Sequence, residues 1–334
     1  MSSHLQILTR HRDGAPFRQR IEMYLEPLRA HGVEPEVEAL APGAWARRKQ
    51  FRRALEADGI LLHRKTLTRW DGWAVGPHWT RIPLIYDFDD AVMYQSSEPD
   101  QLHRGRLRRF VRTMRHAELV MAGSPVLAEH AQRLAAAWVE IVPTGLDVRR
   151  YPAKSSYTTW SGLRLVWIGS RSTLKQLEAL RPALEAVGKH VQGIHLRVIA
   201  DEALEVPGLA VENMPWSCDT EARLLAECDV GIAPLPDTPY TRGKCGFKVL
   251  QYMAAGLPVV ASPVGVNADY VRPEETGLHA ATAEAWVEGL RRLVGDVALR
   301  ERLGRAGRRR VEREFDVSVL APRVCGLILK AMQH

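Results

Sequence analysis

Two glycines and three cations converge where a helix is expected to begin. Thr241-Arg242-Gly243-Lys244-Cys245-Gly246-Phe247-Lys248 runs into Val249-Leu250-Gln251-Tyr252-Met253-Ala254-Ala255-Gly256. The positive end of such a helix and its free N–H groups favour an anion, and Lys248 lies one turn in. Lys248 and Gln251 are three apart and share a helix face. Gly256 is a natural terminator, and Pro258 opens a buried strand. A second constellation, Gly169-Ser170-Arg171-Ser172-Thr173-Leu174-Lys175, follows the apolar run Leu163–Ile168. A glycine there lets backbone approach a ligand, helix N–H groups follow, and Arg171 and Lys175 sit in the loop and first turn. That combination suits a diphosphate, the plain alternative being two solvated cations.

The first half offers acids and histidines. Tyr86-Asp87-Phe88-Asp89-Asp90 closes one strand candidate, and Asp87, Asp89 or Asp90 could bind hydroxyls or accept a proton. A capping cluster at a strand end is the equal alternative. The D-x-D spacing also suggests a metal–nucleotide site, but the surrounding pattern is wrong for one, and cations elsewhere already compensate a diphosphate. His63 ends another strand candidate beside Arg64-Lys65, whereas His103 and His116 lie in a basic helix. Each reads more readily as structural or solvated than as catalytic.

Short apolar runs alternating with amphipathic stretches must position these residues, which is the pattern of parallel sheets with helices on both faces. Strands are expected at Leu5–Thr9, Val33–Leu40, Gly59–His63, Leu84–Asp87, Leu119–Ala122 and Val139–Val142, with helices at Phe17–His31, Ala44–Ala57, Leu102–His116 and Pro125–Ala135. Tyr151–Gly162 lacks apolar periodicity and reads as a linker. A second series follows: strand Leu163–Ile168, helix Leu174–Val187, strand Ile194–Ala200, helix Thr220–Glu227, strand Val230–Pro234, helix Phe247–Ala255, strand Pro258–Ala261, then a helical tail. In open parallel sheets ligands bind at the carboxyl ends of strands, where all the candidates above lie. The expected architecture is α/β: two Rossmann-like doubly wound domains with a cleft between them, residues 1–150 and 163–315, joined by 151–162 and followed by a C-terminal helix, 316–334, able to pack back on the first domain.

The composition agrees with a folded protein of two domains: 334 residues, 46% hydrophobic and 25% charged. No run is long and apolar enough to span a bilayer, and the start reads as a strand rather than a signal sequence, so a cytoplasmic protein is expected. Cys218, Cys228, Cys245 and Cys325 have no metal-binding spacing and read as reduced thiols. Lys and Arg number 24 against 18 acids over residues 1–155, but 22 against 21 over 156–334. The first-half excess lies mostly on two helices. Residues 44–53 carry Arg47, Arg48, Lys49, Arg52 and Arg53 beside Trp45 and Phe51. Residues 102–117 carry six arginines and no acid around the stripe Leu107, Phe110, Val111 and Met114. Such helices could dock on anionic lipid, or the stripe could face the domain core. Nucleic-acid binding would rest on charge alone, without aromatic interleaving or a known module.

Asp229–Leu235 and Arg242–Val266 resemble the donor-binding region of the GT-B fold glycosyltransferases of family 4, the retaining group 1 enzymes. The likeness is greatest to a subgroup with the signature R-G-K-C-G-F-K-x-x-Q-Y-M-A, and Ile141–Asp147 looks like the family's inter-domain segment. The resemblance implies sugar transfer from a nucleoside diphosphate donor, UDP- or GDP-sugar, to a hydroxyl acceptor such as a glycan or lipid-linked saccharide, with retention and without metal or other cofactor. It implies that Arg171 and Lys175 hold the departing diphosphate, and that Gly14, in the loop His11–Arg18, faces the phosphates. It further implies that Gly169, Ser170, Gly243, Lys244, Cys245, Gly246, Phe247 and Lys248 line the donor site. Arg18, His63, Asp87 and Asp90 would serve the acceptor, and Asp89 or Asp87 the proton. Trp216 could lie by the nucleobase or be ordinary packing. The family commonly has two glutamates in its donor motif; here Gly243 and Gln251 stand at those positions. Gln251 can still hydrogen-bond a ribose hydroxyl. That missing acidic pair supports an alternative, a catalytically silent nucleotide-sugar-binding subunit of a glycan-assembly complex. Lipid-linked acceptors in the family also favour a peripheral location on the inner face of the membrane.

Overall fold

The computed structural model of the chain describes residues 3–75, 82–134, 138–159 and 162–333, with no side-chain description for 73–75. The chain divides into two compact units. The first comprises Met1–Gly145, Thr238–Cys245 and Val317–His334; the second comprises Leu146–Asp237 and Gly246–Asp316.

The first unit is built on strands β1 (Ser3–Thr9), β2 (Val33–Ala39), β3 (Gly59–His63), β4 (Leu84–Phe88), β7 (Leu119–Ala122) and β8 (Val139–Ile141), with a small hairpin of β5 (Tyr94–Gln95) and β6 (Glu98–Leu102) inserted after β4. The six-stranded sheet is parallel, in the order β2-β1-β3-β4-β7-β8. Strands buried on both faces are continuous apolar runs, as in Gly59–His63 and Leu119–Ala122. One face packs on Phe17, Ile21, Tyr24 and Leu28 together with Leu320, Val324 and Ile328 of the C-terminal helix Val317–Met332. The other face packs on Phe51, Phe110, Met114 and Leu127, joined by Tyr240 and Cys245. In the helix Arg104–His116 the apolar stripe therefore faces this core, with Phe110 and Met114 fully buried. Ser124 caps the helix Pro125–Arg133, accepting from the N–H of Leu127; Ala135, expected to end that helix, lies outside the described residues.

The second unit has strands β9 (Leu163–Ile168), β10 (Ile194–Ile199), β11 (Ala210–Met214), β12 (Val230–Ala233), β13 (Val259–Ala261) and β14 (Gly277–His279), again all parallel, in the order β11-β10-β9-β12-β13-β14. Its helices cover both faces. Trp167, Leu196, Leu290 and Leu303 belong to one core cluster, and Val166, Tyr252, Met253 and Val311 to the other. The single helix expected over 174–187 is two, Arg171–Glu178 and Arg181–His190. Pro182 has no N–H to return to Glu178, so the first helix ends there. Part of the stretch read as a linker belongs to this unit's interior: Tyr151 and Tyr157 are buried, and the Tyr157 hydroxyl donates to the Gly256 carbonyl at 2.7 Å. Residues 160–161 of that stretch are not described. All four cysteines are free thiols.

Candidate functional site

In the second unit the Gly169 loop and the Lys248 helix meet at Trp167. Trp167, next to last in β9, is fully buried, and the Lys248 ammonium lies 4.4 Å from the centre of its ring. Cations favour that position over an indole face. A Cβ on Gly169 would collide with the same ring and with Thr173 Oγ1, so only glycine fits between strand and helix here. Ser170 begins the next helix in a reciprocal capping box with Thr173. From that helix Arg171 reaches outward, 79% exposed, pairing with Glu202 at 2.7 Å, and Lys175 is exposed one turn on. Gly246 starts the helix Phe247–Ala254 at φ +62°, a left-handed conformation, with Tyr270 and Val266 only 3.0 Å from where a Cβ would stand. Arg171 and Ser172, and Phe247 and Lys248, hold the first two positions of the two helices, where an N–H has no intrahelical carbonyl.

Gln251 and Trp216 join through two residues that the sequence reading did not single out. The Gln251 amide donates to the Tyr151 hydroxyl at 3.2 Å. That hydroxyl donates to Glu221 Oε1 at 3.2 Å, and the Trp216 indole N–H donates to Glu221 Oε2 at 2.8 Å. Burial, then the Glu221 charge, pushes the Tyr151 phenol well above its ordinary value, so it stays protonated and bridges the network.

The unit boundary falls inside the cationic motif, between Cys245 and Gly246. Gly243, Lys244 and Cys245 pack in the first unit. The Lys244 ammonium pairs with Asp90 Oδ1 at 2.8 Å, donates to the Tyr240 hydroxyl at 3.1 Å and lies over that ring at 4.7 Å. Burial opposes its charge, but Asp90 and Tyr240 hold its pKa above the ordinary lysine value. Cys245 donates its S–H to the Asp89 carbonyl at 3.0 Å.

The acidic cluster separates into different roles. Asp87 is buried with Arg20, each side chain 1% exposed, and accepts from Arg20 at 2.5 and 3.3 Å while Arg20 also donates to the Val142 carbonyl at 2.6 Å. Asp89 and Asp90 instead meet Arg64, at 3.1 and 2.7 Å. Arg64 sits at φ +58°, a strained position for a residue with a Cβ, costing about 1–3 kcal/mol. Its N–H donates to the Asp87 carbonyl at 2.7 Å, which ties the strained backbone to β4.

A cavity of about 520 Å³ opens at the carboxyl ends of β1, β3 and β4. It is lined by Arg10, His11 and Gly14 after β1, His63 at the end of β3 with Arg64 and Lys65 after it, and Asp90 after β4, with Arg106, Arg109 and Tyr240 among the rest. Asp87 and Arg18 are not among its walls; Arg18 donates to the Asp13 carbonyl at 2.6 Å. His63, 2% exposed, shares a 2.9 Å hydrogen bond between Nδ1 and Thr9 Oγ1, while its buried Nε2 has no hydrogen-bond partner among the described residues. Burial lowers its pKa against the opposing pull of Asp87 and Asp89, so the ring is neutral. Arg10, Lys65 and Arg109 escaped the sequence reading as site residues; the available signal was their place directly after strands or in the basic helix. Among the described residues, no group of three or more His, Cys, Asp or Glu is placed to hold a metal ion, and no helix is long and apolar enough to cross a membrane.

Residues 162–296 match the family model of the glycosyl transferases group 1. No curated protein matches the sequence. The fold is similar to that of the sucrose-phosphate synthase from Thermosynechococcus elongatus, with a TM-score of 0.79 and 17% identity over 99% of each chain. It is also similar to that of HepE from Anabaena in complex with UDP and glucose, with a TM-score of 0.75 and 16% identity over 98% of this chain and 100% of that one. A glycosyltransferase from Rickettsia africae gives 0.73 and 11% over 100% and 99%. Two parallel six-stranded sheets with helices on their faces, a group 1 domain over 162–296 and this structural likeness together give the chain a two-domain GT-B fold with a glycosyl transferases group 1 domain in its second half.

Proposed function

We propose that the chain is a retaining, metal-independent glycosyltransferase of family 4 that moves a sugar from a nucleoside diphosphate donor to a hydroxyl of a saccharide or lipid-linked acceptor. The observation that carries this reading is the Lys248 ammonium seated on Trp167 inside the group 1 domain, beside the Gly169 loop that only glycine can form. Lys248, Arg171, Lys175 and the first-turn N–H groups of their helices take the diphosphate, and Gln251, oriented by Tyr151, takes the ribose. As the bond from sugar C1 to the diphosphate oxygen breaks, the acceptor oxygen bonds to C1 on the same face, and its proton passes to the departing diphosphate. The first unit, with its cavity at the strand ends, is the acceptor side. Complexes of HepE with UDP and with UDP-glucose make UDP-glucose the first donor to try.

Calorimetry with UDP and GDP, and release of UDP from UDP-glucose across an acceptor panel, test the reading. Lys248→Ala and Arg171→Ala are expected to weaken UDP binding at least tenfold, and full transfer with unchanged donor affinity in either variant refutes the donor site. A second reading, a nucleotide-sugar-binding subunit without turnover, is favoured by one observation: Gly243 and Gln251 supply no carboxylate, and Gln251 is engaged with Tyr151. Donor binding without UDP release under any acceptor would select it. Arg104, Arg108 and Arg115, exposed on the helix Arg104–His116, and Trp45, 77% exposed, favour peripheral association with anionic lipid, which cosedimentation with phosphatidylglycerol vesicles tests.

A further inference from the structure

The cavity at the ends of β1, β3 and β4 is strongly unbalanced in charge. Arg10, Arg64, Lys65, Arg106 and Arg109 line it, and Asp90 is the single acid among its described walls. Asp90 is already met by Arg64 at 2.7 Å and Lys244 at 2.8 Å, so its charge is shared between those two cations. Three loops from separate strands converge there, with the strained Arg64 among them. Backbone strain of this kind persists where surrounding structure over-determines it, typically at ligand sites. The neutral, almost wholly buried His63 is another of these walls, and its buried Nε2 has no hydrogen-bond partner among the described residues. The chemistry of these walls suits an anion joined to a hydroxyl-bearing group, both of which a charged sugar supplies.

We propose that this cavity receives an acceptor sugar that carries an anionic group, a phosphate monoester or a carboxylate, held by Arg10, Lys65 and Arg109, with His63 Nε2 meeting one of its hydroxyls. The proposal rests on the glycosyltransferase reading above and adds the chemical class of the acceptor. The lowered pKa of Lys65 accords with it: burial first, then Arg47, Arg10 and Arg109, outweigh the favourable Asp71, and a bound anion would relieve that repulsion.

The test is calorimetric titration of the full chain with glucose 6-phosphate, glucuronate, inorganic phosphate and glucose, each alone and in the presence of saturating UDP. One of the two anionic sugars should bind at least tenfold more tightly than both glucose and inorganic phosphate, and which one it is separates phosphate from carboxylate. Lys65→Gln and Arg109→Gln, on an exposed or half-buried cavity wall, should each weaken that binding about tenfold while leaving UDP affinity within twofold. Equal affinity for glucose and both anionic sugars, absence of anionic-sugar binding, insensitivity to both variants, or displacement of the anionic sugar by UDP would each overturn the proposal. Failure of the glycosyltransferase reading itself shows separately, as absence of UDP binding to the same preparation.

Discussion

Replacing either member of the Arg20–Asp87 pair should destabilise the first unit far more than replacing both. The two side chains are each 1% exposed and joined by contacts at 2.5 and 3.3 Å, with a third Arg20 bond to the Val142 carbonyl. Burial works against the guanidinium, but Asp87 holds its pKa above the ordinary arginine value, so Arg20 keeps its charge. Removing one partner leaves a buried charge without compensation, which costs about 3–5 kcal/mol. For a unit of this size each kcal/mol lowers the melting point by roughly 2–4 °C, so Asp87→Ala and Arg20→Met should each melt about 6–20 °C below the parent. Arg20→Met/Asp87→Leu replaces the pair with apolar groups and should recover at least half of that loss, a non-additive result for two residues in contact. Scanning calorimetry of the four proteins, with UDP release from UDP-glucose measured alongside, decides the matter. Single variants within about 2 °C of the parent, or additive losses, would refute the structural role. An Asp87→Asn variant that melts like the parent but has lost turnover would instead return Asp87 to the chemistry.

Two further outcomes follow from the same geometry. Gly169→Ala forces a methyl into the Trp167 ring, an overpacking cost of about 1–3 kcal/mol, and because Lys248 rests on that ring it should also weaken UDP binding; an unchanged melting point and unchanged affinity would contradict the placement of the loop. His63 has a folded-state pKa below its ordinary value, chiefly through burial. As pH falls below about 6.5 the unfolded chain takes up the proton first, so the stability that the neutral ring keeps above that pH is lost progressively toward the folded-state pKa. Melting points from pH 7.5 to 5.0 should therefore decline. His63→Gln should reduce the slope, leaving the share of His116 and His130, whose values burial also lowers. An identical slope in the variant would contradict the assignment.

The two sheets were readable because doubly covered parallel strands are continuous apolar runs between turn residues, as in Leu163–Ile168 and Leu119–Ala122. Gly277–His279, three residues without a run, carried no such signal, yet it completes the second sheet. The candidate donor residues were legible for a local reason: glycine, helix start and cation occur within a few positions at Gly169–Lys175 and Gly246–Gln251. What was not legible depends on distance along the chain. Lys244 meets Asp90 across 154 positions and Arg20 meets Asp87 across 67, so acids and cations that look available one at a time turn out to satisfy each other. One clue to Arg20 was present: it lies beside Ile21 on the helical face marked by Phe17, Tyr24 and Leu28, where a cation is affordable only with a buried partner. The same reasoning runs in the opposite direction for Arg10, Lys65 and Arg109. They come from a loop after β1, a loop after β3 and the basic helix, so no spacing rule joins them, and the positive excess of the first half looks like a property of helix surfaces alone. Folding brings these three to one cavity where Asp90, the single acid among its described walls, is already paired, and net charge becomes a statement about a ligand once its position in the fold is known.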